Sequence, residues 1–448
     1  MNNKHLMPVL PQCEAEMWRG LAFESPEMIE RVQTEIFLKH LKYCALNSPF
    51  YRKTFKQHST QWQSVSSLSE IKNLPFTDKG DLDTCCSEFL SVPPEEIADV
   101  CLSSATTSST PAQLLQTKGD LSRLAYNEEI AFETAGVEKG QTMVVGAALD
   151  RCFMAGLAYF LGAVKLGNRV IRSGASSPAQ LWELIKLTRP QTVVGVPSLL
   201  RRCALEAERN GGQPRSAGVK RIIGIGESIR NSALEPLPHI VELEALCSAR
   251  VLSTYASTEM ATSFCECQEQ KGGHIIPELI VVEIVDKDGN VLPPGRTGEI
   301  VATPLGVEGM PLLRYKTGDI SFLISEKCGC GRNTMRMAPV LGRKNQMLKF
   351  KGTRVYPETF LHAVQSVEAV AGGFVEAHLN DDGTDHVILC VALHQKLTDM
   401  RIIREKVQAV ARVTPEIKIL TTEEFEARTT VPGKRKRILF FDLRSNAT

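Results

Sequence analysis

Four short segments of this chain carry side chains that bind metal ions, sugar hydroxyls or phosphates. In chain order they are Tyr255-Ala256-Ser257-Thr258-Glu259, Arg314-Tyr315-Lys316-Thr317-Gly318-Asp319, Gly342-Arg343 and Gly433-Lys434. Their acids offer hard oxygen ligands for magnesium and acceptors for hydroxyl groups, and their Arg and Lys side chains suit phosphate. Each segment alone is a weak signal. The ordered set is a much stronger one.

A reaction that needs this combination of groups is the activation of a carboxylic acid by ATP. The carboxylate anion repels nucleophiles at neutral pH, and joining it to AMP gives a mixed anhydride with a good leaving group. Negative charge builds up on the α-phosphate in the transition state, so magnesium and fixed cations supply most of the catalysis. Such a site needs a magnesium ligand, a phosphate-contacting loop, a ribose anchor and a lysine that reaches the α-phosphate.

The elements around these segments indicate an α/β fold. Short apolar runs rich in β-branched residues occur at 143–148, 192–196, 221–225 and 251–255, and helical segments such as 178–187 and 197–208 separate them. This alternation predicts a largely parallel sheet covered by helices. After residue 275, runs at 279–285 and 298–303 flank a turn at 286–290 and predict antiparallel strands.

A third region begins at Gly342. It contains predicted strands near 374–379, 387–393 and 438–443 and a predicted helix near 400–412. This pattern is typical of a small α+β domain of independent size.

Composition indicates an ordinary soluble globular protein. Hydrophobic residues make up 43% and charged residues 23% of the 448 residues, and the formal net charge is +1. The charge gives no electrostatic case for a nucleic-acid or membrane partner, and the apolar run at 152–164 is too short to span a bilayer. Thirteen cysteines without a secretion signal read as reduced thiols, so we expect a cytoplasmic protein.

The chain resembles the adenylate-forming (acyl/aryl-CoA synthetase) superfamily and, within it, the phenylacetate–coenzyme A ligase branch. Besides the four segments above, the resemblance rests on Asn47-Ser48-Pro49-Phe50-Tyr51, Leu74-Pro75-Phe76-Thr77-Asp78-Lys79, the loop Ser103–Pro111, Gly119-Asp120-Leu121 and Gly226-Glu227. It covers nearly the whole chain.

The resemblance implies the domain organisation and the activity. A large N-terminal adenylation domain, 1–341, has mainly parallel sheets plus antiparallel strands and binds ATP and the acid. A small mobile α+β lid domain, 342–448, follows it. The implied reaction converts a small, aromatic carboxylic acid with ATP and Mg²⁺ to an acyl-adenylate and transfers the acyl group to the thiol of coenzyme A.

The resemblance also assigns the nucleotide site residue by residue. It places Tyr255 against the adenine, with Gly226 and Glu227 lining that pocket. Thr258 contacts phosphate and Glu259 ligates magnesium. The other nucleotide-contacting residues that it implies are Ser103, Ser104, Thr106, Thr107, Ala256 and Ser257.

The remaining implied roles fall at and beyond the start of the lid domain. Asp319 accepts hydrogen bonds from the ribose hydroxyls, and Arg343 binds ribose or phosphate. Lys434 bridges the carboxylate and the α-phosphate during adenylation. Rotation of the lid domain then withdraws this lysine and presents Lys351 and Gly352 on a second face for thioester formation.

The phosphate loop departs from the family pattern. The family loop reads Ser-Ser-Gly-Thr-Thr-Gly-Lys-Pro, whereas this chain has Ser103-Ser104-Ala105-Thr106-Thr107-Ser108-Ser109-Thr110-Pro111. Both glycines and the lysine are missing, and glycine permits positive φ and close backbone approach to phosphate. Weaker ATP binding, an altered loop path and lost activity are open, while the retained hydroxyls and N–H groups favour an active enzyme. Asn345 stands where the family commonly has a carboxylate.

Two cysteine pairs form a second chemical signal. Cys265-Glu266-Cys267 and Cys328-Gly329-Cys330, together with His274, could build a tetrahedral zinc site. The C-x-C spacing is weak by itself, but members of the resembled branch often carry Cys-x6-His followed by Cys-x-Cys. That pattern implies Cys267, His274, Cys328 and Cys330 as ligands of a structural Zn²⁺, with Cys265 as an alternate. Reduced buried thiols are the other reading.

The acid pocket is expected between the segment after the strand at 143–148 and the Tyr255 loop. In the resembled branch this region contributes the acyl pocket, and Phe153, Met154, Gly156 and Ala256 are the candidates here. An aromatic side chain and a methionine beside small residues suit a flat apolar acid. Core packing explains the same residues equally well.

Three other functions are open at this point. The acyl group could go to the phosphopantetheine thiol of a carrier protein instead of coenzyme A. The altered phosphate loop could mark a catalytically impaired homologue that acts as a scaffold. The basic run Lys434-Arg435-Lys436-Arg437 and the cysteine pairs allow a nucleic-acid-binding zinc protein as a distant third. The oligomeric state is open too, with a homodimer as one option.

Overall fold

The structure is a computed structural model of the 448-residue chain. The residues it describes are 10–102, 112–150, 152–174, 176–350, 353–365, 367, 369–380, 385–394, 399–430 and 437–444. The chain divides into two compact units. The first comprises Met1–Ile229, Leu243–Thr317 and Phe322–Pro339, and the second comprises Arg230–Glu242, Gly318–Ser321 and Val340–Thr448. The domain boundary between residues 341 and 342 stays a prediction.

The first unit contains both helices and strands. Its helices are α1 (Pro26–Asn47), α2 (Pro49–Gln57), α3 (Lys79–Cys85), α4 (Lys118–Thr134), α5 (Met154–Lys165), α6 (Pro178–Thr188) and α7 (Pro197–Arg209). Its strands begin with β1 (Ile97–Leu102), β2 (Gln113–Thr117), β3 (Thr142–Val145), β4 (Arg169–Arg172), β5 (Thr192–Gly195), β6 (Arg221–Gly224), β7 (Arg250–Ser257) and β8 (Thr262–Cys265). They continue with β9 (Gly273–His274), β10 (Ile280–Val285), β11 (Gly298–Pro304), β12 (Tyr315–Ser321), β13 (Leu323–Ile324) and β14 (Arg336–Met337). Helix α8 (Pro238–Cys247) and strand β12 each continue across a boundary between the units.

A six-stranded sheet in the order β4-β3-β5-β6-β7-β8 forms the centre of the first unit. The strands from β4 to β7 are parallel, and β8 is antiparallel to β7. Every residue of β3 and β5 is buried, because helices cover both faces of a parallel sheet. The prediction of a largely parallel sheet is therefore confirmed.

The antiparallel region is also confirmed. Strands β10 and β11 pair from Ile280↔Pro304 to Val285↔Glu299. The turn between them is closed by Asp286, whose side chain accepts hydrogen bonds from the N–H groups of Asp288 at 2.8 Å and Asn290 at 2.9 Å, as Asp does in turns. Strand β12 lies next to β11 in the same sheet.

The second unit is an α+β structure. Its strands are β15 (Gly342–Arg343), β16 (Leu348–Phe350), β17 (Thr353–Val355), β18 (Val370–Leu379), β19 (Asp385–Leu393), β20 (Glu416–Leu420) and β21 (Phe440–Asp442), and its helices are α9 (Pro357–Gln365), α10 (Arg401–Ala411) and α11 (Thr422–Thr429). A sheet in the order β20-β19-β18-β21 separates two layers of apolar side chains. One layer includes Val375, Leu389 and Phe360, and the other includes Phe374 and Phe425.

In the described part of the chain, no helix combines the length and the apolar character that crossing a bilayer requires.

A buried carboxyl group joins α4 to the segment before β10. The hydroxyl of Tyr126 donates a hydrogen bond of 2.9 Å to Glu278 Oε1. The other oxygen, Oε2, is buried without a hydrogen-bond partner among the described residues. Burial raises the pKa of Glu278 to about 7, so folding favours the protonated acid. The unfolded chain has the lower pKa, so this group lowers stability progressively as pH rises from about 5 to about 8.

We expect Glu278→Gln to remove this pH dependence. Near pH 5 the amide and the protonated acid are isosteric, so variant and wild type should unfold alike. Near pH 8 the variant should be more stable by up to about 3 kcal/mol, because it avoids the cost of a buried anion. Urea unfolding of both proteins at several pH values measures the difference. A difference that does not change with pH would contradict this account.

Candidate functional site

The parallel sheet brings the predicted nucleotide segments to one edge. Strands β6 and β7 are parallel neighbours, so their carboxyl ends lie side by side. Gly226 and Glu227 come just after β6, and Thr258 and Glu259 come just after β7. Ligands of open α/β sheets bind outside the carboxyl ends of the strands. This edge is therefore the candidate site.

The segment after β7 is a tight turn. The N–H of Ala261 donates to the carbonyl of Thr258 at 3.2 Å, and the N–H of Met260 donates to Ser257 Oγ at 3.2 Å. Met260 is fully buried, while Thr258 and Glu259 are half-buried. The turn thus anchors one apolar side chain in the core and leaves the hydroxyl and the carboxylate partly accessible to a ligand.

Tyr255 lies on strand β7, shortly before this turn. It pairs with Phe264 across β7 and β8, and the two ring centroids are 6.0 Å apart. Tyr255 is half-buried and Ala256 is exposed. A half-buried aromatic ring is compatible with stacking on a base, and its contact with adenine stays a prediction.

Glu227 has a structural partner at the start of helix α7. Its carboxylate accepts hydrogen bonds from the N–H of Ser198 at 3.0 Å and from Ser198 Oγ at 2.6 Å. A carboxylate at a helix N-terminus is stabilised by the helix dipole. Gly226 has a φ of +74°, which lets the chain turn sharply out of β6. These contacts fix the loop that is predicted to line the adenine pocket.

The four predicted acid-pocket residues differ in their surroundings. Met154 is 5% exposed and belongs to the apolar core. A Cβ at Gly156 would lie 2.0 Å from the carbonyl oxygen of Ala148, so glycine is needed for α5 to pack against this backbone. Phe153 is half-buried and Ala256 is exposed. Packing accounts for Met154 and Gly156, and the acid contact of all four stays a prediction.

Asp319 and Arg343 lie opposite each other on β12 and β15. Arg343 Nε is 3.4 Å from Asp319 Oδ1. The Asp319 side chain is 15% exposed and that of Arg343 is 42% exposed, so this ion pair adds little stability. Glu358 in α9 is close enough to both for their charges to affect its pKa, which burial raises. The arrangement brings together the acid that the resemblance assigns to the ribose and the guanidinium that it assigns to ribose or phosphate.

A fully buried ion pair supports the start of β12. Arg314 Nε and Nη2 donate to the two carboxylate oxygens of Glu283 at 3.0 and 2.8 Å. Its Nη1 donates to the carbonyls of Lys72 at 2.9 Å and Leu74 at 2.8 Å, and the guanidinium lies 4.0 Å from the ring centroid of Phe76. This satisfied geometry is what a buried charge requires.

Two motifs behind the resemblance support the same backbone. Tyr51 Oη accepts a hydrogen bond from the N–H of Leu313 at 2.7 Å and lies 2.8 Å from Thr77 Oγ1. The backbone of Thr77 exchanges hydrogen bonds with Arg314 and Lys316 at 3.2 and 2.8 Å. Their role in this structure is therefore to position the strand that leads to Asp319.

Sequence reasoning missed Arg314 and Glu283 as positioning residues. A usable signal existed, because Glu283 is a single acid within the apolar run Ile280-Val281-Val282-Glu283-Ile284-Val285. An acid in a buried strand needs a cationic or hydrogen-bonding partner. The partner itself was not predictable from spacing, since Arg314 lies 31 residues away.

Four side chains converge into one metal-binding geometry. The ligand atoms of Cys267, His274, Cys328 and Cys330 all lie within 4.8 Å of one another. The sulfurs of Cys267 and Cys328 are 3.5 Å apart, and Cys330 Sγ is 3.4 Å from His274 Nε2. Tetrahedral zinc with Zn–S of about 2.3 Å and Zn–N of about 2.0 Å separates ligand atoms by about 3.5–3.8 Å. The donor set and its dimensions fit zinc.

The surroundings also suit a metal. Thr334 Oγ1 lies 3.3 Å from His274 Nδ1 and orients the ring, as outer-shell groups do in zinc sites. Burial lowers the pKa of His274 to about 3, so the imidazole is neutral and able to ligate. Burial and the adjacent thiols raise the pKa of Cys267 to about 12, so metal binding would have to release a proton from this thiol. Cys265, the alternate ligand, instead packs in the core beside the central sheet.

Several predicted residues lie outside the described part of the chain. They are Ser103, Ser104, Thr106 and Thr107 of the phosphate loop, Lys351, Gly352 and Lys434. Their roles stay predictions.

We expect Arg314→Met to destabilise the protein by about 3–5 kcal/mol, because it leaves the Glu283 carboxylate buried without its partner. Adding Glu283→Gln should recover part of the loss, since the double variant no longer buries an anion. Arg401→Met is a control at an exposed pair with Asp399 and should change stability by less than about 1 kcal/mol. Urea unfolding measures all four proteins. Equal effects at the two sites would contradict the role given to Arg314.

Comparison with known proteins agrees with the family resemblance of the sequence. The profile of the AMP-binding enzyme family matches residues 40–307. The phenylacetate-coenzyme A ligase of Thermus thermophilus is 33% identical over 351 residues, which cover 76% of this chain and 77% of that protein. The phenylacetate-coenzyme A ligase of Pseudomonas putida is 29% identical over 362 residues, 80% of each chain.

Solved structures share the fold. A 2-hydroxyisobutyryl-CoA ligase in complex with R3-HIB-AMP superposes with a TM-score of 0.82 at 20% identity, covering 99% of this chain and 94% of that chain. The same ligase in complex with 2-HIB-AMP and CoA gives a TM-score of 0.69 at 20% identity, covering 99% and 95%. At this identity the likeness shows the fold alone.

Proposed function

Since the chain belongs to the AMP-binding enzyme family, in its phenylacetate–coenzyme A ligase branch, we propose that it is an AMP-forming ligase for a small aromatic acid. The acid reacts with ATP to give an acyl-adenylate and pyrophosphate, and the acyl group then passes to the thiol of coenzyme A. The observation that carries this proposal is the 33% identity to a phenylacetate-coenzyme A ligase over 76% of the chain.

In the first half-reaction, a carboxylate oxygen attacks the α-phosphorus of ATP and the bond to the β-phosphate breaks. Tyr255 holds the adenine in this proposal, and Thr258 contacts the phosphates. Glu259 holds magnesium, for which a half-buried carboxylate at the end of β7 is a suitable hard ligand. Held there, magnesium would offset the negative charge that develops on the phosphates.

The remaining roles in this proposal fall to residues of the second unit. Asp319 accepts hydrogen bonds from the ribose hydroxyls, with Arg343 beside it at 3.4 Å. Lys434 supplies the cation that joins the carboxylate to the α-phosphate. In the second half-reaction the coenzyme A sulfur attacks the acyl carbon and AMP leaves, with Lys351 and Gly352 on the lid face that serves this step.

Acid-dependent ATP–pyrophosphate exchange tests the function directly. We expect exchange with at least one member of a panel of aryl and short aliphatic acids, and the aryl acids to be preferred. Lys434→Ala should abolish exchange, because its cation serves the adenylation step. Lys436→Ala, in the same basic run, is the matched control and should retain it. Absence of exchange with every acid would favour the impaired homologue.

Supplied acyl-adenylate separates the two half-reactions. Lys434→Ala should still form the thioester from it, since the lysine serves one orientation of the lid. Equal loss of both steps would contradict that division. Offering free coenzyme A and a holo carrier protein side by side then identifies the acceptor.

We also propose that Cys267, His274, Cys328 and Cys330 bind one structural Zn²⁺. The support is the convergence of their ligand atoms within 4.8 Å. The following residues hold the N-terminal segment, since the N–H of Asn333 donates to the carbonyl of Ala22 at 2.7 Å. A closed site of four protein ligands is structural and takes no part in the chemistry.

Elemental analysis of purified protein should find about one zinc per chain. His274→Ala and Cys330→Ser should lose most of the metal and lower the thermal midpoint, because zinc binding contributes to folding free energy. Cys265→Ser should keep its zinc. Metal-free wild-type protein that is stably folded would contradict the proposal.

A further inference from the structure

The roles assigned so far leave one fully buried guanidinium unexplained. Arg123 lies in helix α4 and is 1% exposed. Its Nε donates to the carbonyl of Leu305 at 2.6 Å, and its Nη1 donates to the carbonyl of Ala261 at 2.5 Å. Its Nη2 donates to Thr262 Oγ1 at 2.9 Å and to the carbonyl of Leu279 at 2.6 Å.

These partners are all neutral. Arg314, by contrast, is a buried cation that faces the Glu283 carboxylate. No carboxylate of the described residues lies within ion-pair distance of Arg123. Burial lowers the pKa of Arg123 to about 10, so the side chain is still charged at neutral pH. Asp120, one turn earlier in α4, makes no ion pair with Arg123, and its charge offsets only part of the effect of burial on the pKa. Burying a charge without an ion-pair partner is costly, and an apolar residue would fill this space without that cost.

Two of the four bonds end at the close of the turn that carries Thr258 and Glu259, one on its last residue and one on the residue that follows. Ala261 closes this turn with a φ of +44°, a left-handed conformation that a residue with a Cβ disfavours. Arg123 binds the carbonyl of Ala261 and the hydroxyl of the next residue, Thr262. Its other two bonds end on Leu279, just before β10, and Leu305, just after β11. One side chain therefore attaches the strained turn to the framework of the antiparallel sheet.

We propose that Arg123 is a positioning residue that holds the Thr258–Ala261 turn in the conformation that presents Thr258 and Glu259 to magnesium and ATP. The identity of the ligand rests on the proposed function. The hydrogen bonds, the burial and the positive φ of Ala261 do not.

The first test measures the turn itself, in the full-length protein without substrate. In Arg123→Met, amide hydrogen exchange of residues 258–262 should accelerate by about tenfold or more, the size expected when hydrogen bonds from a charged donor are lost. Amides of the central strand β3 should change much less. Phe37→Leu, a substitution in the core of α1, is the control for general destabilisation and should not single out residues 258–262.

The second test uses kinetics. In acid-dependent pyrophosphate exchange, Arg123→Met should raise the KM for magnesium–ATP by about tenfold while the KM for the acid changes by less than about twofold. Adding Ala261→Gly should recover part of this loss, because glycine adopts the left-handed conformation freely. Arg123→Lys keeps the charge but lacks the planar fork. It should therefore also raise the KM for magnesium–ATP more than the KM for the acid, but by a smaller factor than Arg123→Met.

The outcomes separate the two proposals. If the wild type shows no ATP–pyrophosphate exchange with any acid, the proposed function fails. The amide hydrogen-exchange test of Arg123 still stands in that case. If the amides of residues 258–262 exchange hydrogen at the same rate in folded Arg123 variants as in the wild type, the positioning role is overturned. It is also overturned if both KM values rise equally or if Ala261→Gly recovers nothing. Should Arg123→Met fail to fold, Arg123→Lys carries both measurements.

Discussion

The buried ion pair between Arg314 and Glu283 is the interaction on which the position of β12 depends. It joins that strand to β10 and to the carbonyls of Lys72 and Leu74, far apart in the sequence. Arg314 also has a φ of +47°, a conformation that only a strongly determined environment holds. Five donors in a rigid fork let one side chain satisfy a carboxylate and two carbonyls together. The strand that carries Asp319 starts from this point.

Arg123 and Arg314 solve different physical problems with the same functional group. The Glu283 carboxylate neutralises the charge of Arg314, so burying this arginine is compatible with stability. Removing Arg314 would leave the carboxylate buried in a low dielectric without its partner. Arg123 meets carbonyl and hydroxyl oxygens, which stabilise the charge without cancelling it. Its positive potential therefore persists close to the turn that carries Glu259.

Local sequence patterns predicted the helices and strands, but they did not predict which residues distant in the sequence contact one another. The β-branched runs at 192–196 and 221–225 became β5 and β6, because their central pairs Val193-Val194 and Ile222-Ile223 suit a strand buried on both faces. The spacing Cys267-x6-His274 with Cys328-x-Cys330 led to four residues that do converge. Nothing in the spacing connects Arg123 with Leu279 and Leu305, since those contacts cross 156 and 182 residues. A buried charge identifies its partners only after the chain has folded.

The positions of backbone strain and of a buried charge help to distinguish an active enzyme from an impaired scaffold. Backbone hydrogen bonds hold the two strands that flank the altered phosphate loop: Leu102 pairs with Gln113, and the N–H of Leu102 donates to the carbonyl of Cys152 at 2.9 Å. The strain at Ala261 and the unneutralised charge of Arg123 both act on the turn with Glu259. A scaffold needs only stability, and Gly at 261 with an apolar residue at 123 would serve it better. Strain held at a ligand-binding turn is typical of working sites, which favours the active ligase.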